Sequence, residues 1–378
     1  MNNFKKYLTD NDEDIFNHIE EIVKMETPSD NKELLDKAAL WIAEKFEDLT
    51  GGSAEIIDNK ETGNHVIGTF GQGEKQLLLL AHFDTVWESG TLNHMPFRKD
   101  SNKAYGPGIF DMKTGLIQTL YALRSIRELG EKLNKKIVCI FDSDEEIGNP
   151  TSKNLIEKEA KISERAFVME PAMSEKGSLK TSRKGVGIYR MTVKGKPAHS
   201  GIDPEKGISA IEELARQTVH LHSLSNMERG ITVNVGVFNG GSRSNVIAEE
   251  AMAEIDVRAK TVSELKQITK EIENITPFHD GTEIKISGEI NRMPLERTEG
   301  VIEMYQKALK ISDELGIDLS EAETGGGSDG NLTSVYVPTL DGLGAVGDGA
   351  HANHEHINLN HVVDRTALLA NLLKEYGN

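Results

Sequence analysis

The clearest helical pattern in the chain lies between Asp30 and Leu49. Apolar side chains recur there at i, i+4, i+7, i+11 and i+14, which places them on one face of an α-helix: Leu35, Ala39, Ile42, Phe46 and Leu49. Asp30, followed three residues later by Glu33, has the form of a capping box at the start of a helix. The pattern therefore predicts one amphipathic helix with a single buried stripe.

Three other segments are apolar at nearly every position, as strands covered on both faces of a sheet are. They are residues 76–81, 136–142 and 166–169. Helical patterns separate these segments, and the clearest of them rests on Leu116, Leu120 and Leu123. Strands that alternate with helices predict an α/β domain built on one covered sheet.

The pattern changes near Gly185 to alternating strands and two helices. Strands are predicted over residues 187–193, 232–238, 251–258 and 283–287. The first helix has an apolar stripe on Ile208, Ile211, Ala215 and Val219, and the second covers 263–274. This β-α-β-β-α-β order is the ferredoxin-like α+β unit. We expect it to form a domain at 185–289, inserted into a discontinuous α/β domain at 1–184 and 290–378.

The acidic composition disfavours nucleic acids and anionic membranes as binding partners. The 378 residues contain 43 Lys and Arg against 61 Asp and Glu, a formal charge of −18 that opposes binding to phosphate backbones and anionic lipid surfaces. No stretch approaches the ~20 apolar residues of a membrane span, and the first residues lack the apolar core of a signal peptide. We expect a cytoplasmic protein that binds neither nucleic acid nor membrane.

The single cysteine limits the metal ligands that the chain can offer. Cys139 lies within an apolar run, so an intrachain disulfide is impossible and thiolate ligation lacks partner thiolates. A metal site in this chain must therefore use histidine and carboxylate side chains.

Residues that can bind a metal ion stand at successive ends of the predicted strands. They are His82 and Asp84 after the first run, Asp111 before the following helix, Asp144, Glu145 and Glu146 after the second run, Glu170 after the third, and His351, His354 and His356 in a loop near the C-terminus. Each alone has an ordinary explanation as a cap, a turn residue or a surface side chain. Because ligands collect at the carboxyl ends of strands in open α/β sheets, their joint occurrence favours one site.

The combination of two imidazoles with three carboxylates suits borderline divalent ions, zinc first and cobalt or manganese next. Five ligands exceed the four of a structural zinc site and fit a two-metal catalytic site with open positions. The residues alone leave open which histidine of the C-terminal loop takes part. They also do not separate Glu145 from Glu146, although adjacent strand-end side chains point opposite ways and are not expected to ligate equivalently.

Five short motifs occur in the order and spacing of a known enzyme family. They are His82-Phe83-Asp84-Thr85-Val86, Gly106-Pro107-Gly108 with Asp111-Met112-Lys113, Asp144-Glu145-Glu146, Glu170-Pro171 and Gly325-Gly326-Gly327-Ser328-Asp329. The chain resembles the zinc-dependent exopeptidases and amidohydrolases that include aminoacylase, succinyl-diaminopimelate desuccinylase and, most similar, bacterial glutamate carboxypeptidase. The resemblance implies a mixed-sheet catalytic domain with an inserted lid that commonly forms a homodimer.

The same resemblance implies roles for the metal-binding candidates. His82 and Glu170 would hold one ion, Glu146 and His351 the other, and Asp111 would bridge both. The ions would be zinc, with cobalt or manganese as alternatives. The resemblance also implies a cis peptide bond after Asp111.

Two acidic residues receive supporting roles by the resemblance. Glu145 would be the general base that takes a proton from water, and Asp84 would orient the imidazole of His82. His351 is preferred over His354 and His356 because Glu355 follows it by four residues, as in the family.

The lid would supply three substrate-binding residues. By the resemblance, His199 stabilises the tetrahedral oxyanion, often from the partner subunit, Asn245 lies at the substrate, and Arg258 grips a free carboxylate. A salt bridge within the lid sheet is the structural alternative for Arg258.

The sequence therefore predicts a dimetal hydrolase that cleaves a peptide or N-acyl amide bond next to a free carboxylate, acting on small peptides or N-acyl amino acids. An aminoacylase-like or diaminopimelate-pathway deacylase with the same metals is the main alternative. A non-catalytic binding protein on the same fold is another, although it has no use for Glu145. A nucleotide-binding oxidoreductase is excluded because Gly106-Pro107-Gly108 does not continue as Gly-x-Gly-x-x-Gly.

Overall fold

The computed structural model describes residues 2–378 and divides them into two compact units. The first unit contains the residues up to Thr181 together with Arg297–Glu323 and Ser328–Asn378, and the second contains Ser182–Glu296 and Thr324–Gly327. The second unit thus extends beyond the expected insert of 185–289 at both ends. It also includes the glycine segment of a motif that the sequence assigned to the catalytic domain.

The elements of the first unit come from both ends of the chain. Before the second unit they are α1 (Asn3–Asp10), α2 (Asp12–Val23), α3 (Lys32–Thr50), β1 (Ser53–Ile57), β2 (His65–Phe70), β3 (Gln76–His82), β4 (Arg98–Lys99), β5 (Lys103–Tyr105), α4 (Thr114–Glu128), β6 (Lys136–Asp142), α5 (Lys153–Lys161) and β7 (Ser163–Val168). The next strand, β8 (Leu179–Arg183), begins in the first unit and ends in the second. The second unit contributes β9 (Gly185–Lys194), α6 (Ala210–Ser223), β10 (Thr232–Gly240), β11 (Glu250–Ala259), α7 (Val262–Glu273) and β12 (Glu283–Arg292). The chain then ends with α8 (Glu299–Leu315), β13 (Glu321–Thr324), α9 (Asp329–Thr333), β14 (Thr339–Leu340), β15 (Gly347–Asp348), β16 (His356–Asn358) and α10 (Val362–Gly377). None of the helices within residues 2–378 is long and apolar enough to cross a membrane.

A six-stranded mixed sheet forms the centre of the first unit, in the order β1-β2-β6-β3-β7-β14. β3 runs parallel to both β6 and β7, whereas β2 is antiparallel to β6. Every residue of β3 is buried, as its continuous apolar sequence predicts. Because β3, β6 and β7 are parallel neighbours, their carboxyl ends meet at one edge of the sheet.

The helix predicted from the spacing of Leu35 to Leu49 is α3, and all five residues of the apolar stripe are buried. The predicted cap was wrong by one residue. Asn31 precedes the helix, and its side chain accepts a hydrogen bond from the backbone N–H of Leu34 at 3.2 Å. Asparagine is among the best N-cap residues, so the shift agrees with the chemistry of helix capping.

The second unit has the predicted ferredoxin-like arrangement, with two helices and an antiparallel sheet in the order β10-β11-β9-β12. The predicted apolar stripe on its first helix was wrong. Ile211 and Val219 are 37% and 73% exposed, and the buried positions of α6 are Ala210, Glu213, Leu214, Gln217 and Leu221. The apolar pattern did not reveal this face because two of its buried residues, Glu213 and Gln217, are polar. Their burial is compensated by a hydrogen bond from the Gln217 amide to the Glu213 carboxylate.

Candidate metal centre

The candidate ligands converge on one edge of the central sheet. His82 is the last residue of β3 and pairs in register with Asp142, the last residue of β6. Glu145 and Glu146 lie in the turn that follows β6, and Glu170 lies just beyond β7. The parallel register of these strands is therefore what brings side chains from distant parts of the sequence together.

Asp111 stands between the two imidazoles. The Nε2 atom of His82 lies 3.3 Å from Asp111 Oδ1 and 3.6 Å from Glu170 Oε1. The Nε2 atom of His351 lies 3.6 Å from Asp111 Oδ2 and 3.2 Å from Glu146 Oε1. The two oxygens of Asp111 thus face different histidines, each of which has its own glutamate.

Two overlapping groups of side chains have the spacing that a metal ion requires. His82 with Glu145 and Glu170 forms one group, and His82 with Asp111 and Glu146 forms the other, the ligand atoms of each group lying within 4.8 Å of one another. Imidazole and carboxylate ligands of this kind fit zinc or a neighbouring divalent ion.

Glu145 and Glu146 both reach the cluster but belong to different groups, Glu145 with Glu170 and Glu146 with Asp111, and the expectation that their side chains point in opposite directions stays a prediction. That expectation applied the alternation of side chains along a strand, but both residues lie in a turn beyond Asp142, the last residue of β6. Spacing alone therefore does not assign one as base and the other as ligand.

The electrostatics of the cluster show how strongly it favours positive charge. Burial alone would lower the pKa of His82, but the carboxylates of Asp111, Asp84 and Glu170 raise it well above its ordinary value. Glu146 raises the pKa of His351 to about 9. Burial and the nearby Asp111 raise the pKa of Glu146 itself to about 7, against the lowering effect of His351. The carboxylates around the two imidazoles thus favour positive charge at this site, which is the charge that a divalent ion would bring.

Asp84 holds several parts of the site at once. Its side chain is completely buried, and Oδ1 lies 3.3 Å from Nδ1 of His82 while it accepts a hydrogen bond from the backbone N–H of Glu145 at 3.2 Å. Oδ2 accepts from the hydroxyl of Ser29 at 2.7 Å and from the N–H of Glu146 at 3.2 Å. Nδ1 of His82 also lies within hydrogen-bond distance of the backbone carbonyl of Asp84, at 3.1 Å. Asp84 therefore orients the His82 imidazole through its backbone and its carboxylate, and the carboxylate fixes the backbone of the turn that carries Glu145 and Glu146.

Glu355 holds the turn that presents Asp111. Its buried carboxylate accepts hydrogen bonds from the backbone N–H groups of Gly108, Phe110 and Asp111 at 2.8, 2.9 and 3.1 Å, and from the indole N–H of Trp87 at 2.8 Å. The peptide bond after Asp111 is cis, as the resemblance implied. Glu355, four residues after His351, thus holds the backbone that carries Asp111.

The three histidines of the C-terminal loop have different surroundings. His351, at a φ of 60°, directs its ring at Glu146 and Asp111. The ring of His354 lies 3.8 Å from the carboxylate of Asp348, and Nε2 of His356 lies 2.9 Å from the ammonium of Lys103. Of these three rings, that of His351 contacts the carboxylate cluster.

The predicted substrate-binding residues all lie in the second unit. The backbone segments of His199 and Asn245 are neighbours, because the N–H of Ser200 donates to the carbonyl of Asn245 at 3.1 Å. The guanidinium of Arg258, on β11, donates to both carboxylate oxygens of Asp256 at 3.0 and 3.2 Å and to the carbonyl of Gly325 at 2.9 Å. The salt bridge considered as a structural alternative for Arg258 is therefore present.

Sequence reasoning missed two residues that contact the site. Ser29 donates to Asp84, and it lies outside the five motifs on which the family resemblance rests. Lys180 lies with its ammonium 3.7 Å from Glu170 Oε2, and nothing in its own sequence context sets it apart from other strand lysines.

A metal-dependent hydrolase is the class of enzyme that this fold and site define. The cluster combines a carboxylate between two imidazoles with a further glutamate beside them, the donor set of a site that activates water with divalent ions. The chain belongs to the peptidase family M20/M25/M40, whose model matches residues 78–375.

Individual relatives agree with this membership. The chain is 28% identical to carboxypeptidase G2 of Pseudomonas sp. (strain RS-16) over 380 residues, covering 98% of this chain and 91% of that protein. It is 29% identical to acetylornithine deacetylase of Proteus mirabilis over 250 residues, 61% of each chain. Its fold matches that of the Bacillus subtilis YXEP protein, described as a dinuclear metal-binding peptidase of the M20 family, with a TM-score of 0.71, 14% identity and coverage of 98% and 99%.

Proposed function

We propose that this hydrolase is a carboxypeptidase-like exopeptidase that releases a carboxylate-bearing amino acid from a small peptide or an N-acyl amino acid. The observation that carries the proposal is the position of Asp111, whose two oxygens face His82 and His351 at 3.3 and 3.6 Å. A carboxylate so placed suits a bridge between two divalent ions. The similarity to carboxypeptidase G2 along nearly the whole chain supports the carboxypeptidase specificity.

The proposed ligands are His82 and Glu170 for one ion, Glu146 and His351 for the other, and Asp111 for both. We propose zinc as the ion, with cobalt or manganese able to replace it. When bound, the pair of ions supplies a nucleophilic water at neutral pH and polarises the carbonyl that is attacked.

The remaining chemistry belongs to side chains of the protein. Glu145, 9% exposed within the cluster, accepts the proton of the attacking water and passes it to the leaving nitrogen. Asp84 keeps the Nδ1 atom of His82 engaged, so that Nε2 faces the cluster. From the family resemblance we also propose that His199, Asn245 and Arg258 bind the substrate.

A deacylase is the second candidate function. The similarity to acetylornithine deacetylase favours it, because that enzyme's name indicates removal of an acyl group from an amino acid derivative. The proposed ligands and base would be unchanged, and the acyl group of the substrate would differ.

Metal removal and a substrate panel test both candidates. Protein stripped with a chelator should be inactive and should regain activity with zinc or cobalt. The panel should contain C-terminal glutamyl dipeptides, other dipeptides, and N-acetyl and N-succinyl amino acids. Preference for glutamyl peptides supports the carboxypeptidase, whereas preference for N-acetyl or N-succinyl compounds supports the deacylase. Full activity in metal-free protein would refute the proposed chemistry.

We also propose that the protein is cytoplasmic and forms a homodimer through its second unit. β10 is an edge strand of that unit's sheet and carries the partly exposed Val237 and Phe238. The exposed Ile211 and Val219 lie on α6, which packs against β10. Exposed apolar side chains beside an open strand edge are a typical association surface. Sedimentation of the wild type against Val219→Glu would show whether this face joins two copies.

A further inference from the structure

Lys180 is a buried lysine in the wall of the cavity beside the candidate metal centre. It is 7% exposed and lies on β8, where its backbone N–H donates to the carbonyl of Asp341 at 2.8 Å. The cavity has a volume of about 520 Å³ and is also lined by Asp111 and Glu170. A buried ammonium is unfavourable unless a carboxylate compensates it, so its position requires an explanation.

The backbone of Gly342 lies close to the stem of Lys180. Gly342 has a φ of +75°, and a Cβ atom added there would lie 3.0 Å from the backbone nitrogen of Lys180 and 3.1 Å from its Cγ. A glycine is therefore needed both for the backbone conformation and for the close approach. The lysine stem runs beside Gly342, and its ammonium lies on the side of Glu170, largely shielded from solvent.

The partner of the ammonium is a proposed metal ligand. Nζ of Lys180 lies 3.7 Å from Glu170 Oε2, and both side chains are 9% exposed. The other oxygen of Glu170, Oε1, faces Nε2 of His82 at 3.6 Å. The two oxygens of one carboxylate thus face different partners, a cation on one side and the histidine cluster on the other.

We propose that Lys180 is a positioning residue. Its ammonium pairs with Oε2 of Glu170, so that this glutamate offers only its other oxygen, Oε1, to a metal ion. The inference rests on the proposed function, since it concerns how a proposed ligand is presented. Catalytic metal sites keep a position open for water or substrate, and a carboxylate that ligated through both oxygens would occupy such a position. Lys180 would then preserve the open position without contacting the substrate.

The competing explanation is that Lys180 only neutralises a buried carboxylate. In that case its removal would lower the stability of the protein, but the coordination of the metal would not change. Metal spectroscopy separates the two explanations because it reports the number of ligands independently of turnover.

The experiment uses full-length protein stripped of metal and titrated with Co²⁺, whose visible absorption weakens as its coordination number rises. We compare the wild type with Lys180→Met, Lys180→Arg and Lys180→Gln. Lys176→Met is the matched control, because Lys176 is an exposed lysine of the turn before β8. Each variant is also tested for folding by circular dichroism.

For Lys180→Met we expect weaker visible absorption per bound Co²⁺ and a change of about 10–100-fold in Co²⁺ affinity, the range typical of residues that orient a ligand. We expect Lys180→Arg to resemble the wild type and Lys176→Met to match it. If Lys180→Met does not fold, Lys180→Gln is judged by the same criteria. A spectrum and affinity equal to the wild type in a folded variant without the lysine charge would overturn the inference. Failure of the wild type to bind Co²⁺ at all would instead refute the proposed function.

Discussion

Replacing Asp84 with asparagine tests whether Asp84 orients the metal ligand His82 or only stabilises the fold. The two roles predict different changes in metal affinity and in the free energy of unfolding. Both oxygens of the buried Asp84 already face donors: Ser29 and the backbone N–H groups of Glu145 and Glu146, with His82 beside them. An asparagine must place its NH₂ group against at least one of these donors. Hydrogen bonds to a charged group contribute ~1.5–3 kcal/mol each, so losing one or two lowers the free energy of unfolding by about 2–5 kcal/mol.

The effect on metal binding should be larger than stability alone explains. Residues that orient a ligating histidine typically change metal affinity or activity by ~10–100-fold, and we expect Asp84→Asn to fall in this range for Zn²⁺. Competition against a chromophoric chelator measures the affinity, and urea unfolding of the metal-free protein measures the stability.

Asp144→Asn provides the control for this comparison. Asp144 is as buried as Asp84 and directly precedes Glu145, but it accepts its hydrogen bonds from Thr151 and Ser152. We expect it to lose comparable stability with a smaller change in Zn²⁺ affinity. Equal losses of Zn²⁺ affinity in the two variants, or wild-type affinity in Asp84→Asn, would refute the role of Asp84.

Three further predictions concern single side chains. Glu145→Ala should retain both metal ions by elemental analysis while losing nearly all turnover, because the proton acceptor is gone; unchanged turnover would rule out Glu145 as the base. His351→Ala should lose one bound ion in the same measurement, whereas His354→Ala should keep two, since His354 faces Asp348 rather than the cluster; the reverse pattern would move the ligand to His354. Burial raises the pKa of Glu213, but the N–H groups of Phe278 and His279 and the Gln217 amide more than offset this and hold the pKa below the ordinary value of 4.5. Because the folded pKa is the lower one, the Glu213 carboxylate stabilises the fold at neutral pH and loses this effect as the pH falls below about 4.5. The urea midpoint of Glu213→Gln should therefore lie below that of the wild type at pH 7 and approach it in acid, and a constant difference across pH would contradict this reasoning.

The sequence correctly predicted the strands that are apolar at nearly every position. β3 and β6 are apolar along nearly their whole length because helices or loops cover both faces of the sheet, and both were predicted within a residue of their bounds. β1 was missed because its residues are partly exposed and follow no clear alternation. The orientation of α6 was wrong because Glu213 and Gln217 occupy its buried face, where hydrogen bonds compensate their polarity.

The candidate site could be predicted only as far as its motifs allowed. The sequence named the residues that the structure brings together around Asp111, because each stands beside a strand end or a turn. It could not show that Asp84 binds the backbone of Glu145, 61 residues away, since a backbone N–H carries no signal in the sequence. Lys180 was missed for a related reason. Its proximity to Glu170 depends on the fold between them rather than on either residue's neighbours.

The hydrogen bond between Trp87 and Glu355 should make the fluorescence of Trp87 sensitive to changes at the metal centre. Indole fluorescence is sensitive to the charge and hydrogen bonding around the ring, and the carboxylate that accepts from Trp87 also holds the backbone of Asp111. The chain contains two tryptophans, and the other, Trp41, lies on α3 beside His18 and Lys45. Replacing Trp41 with phenylalanine would leave Trp87 as the sole tryptophan, whose emission can be excited selectively over that of the tyrosines. The arrival of ions at the cluster could then be followed in real time without a substrate or an added dye.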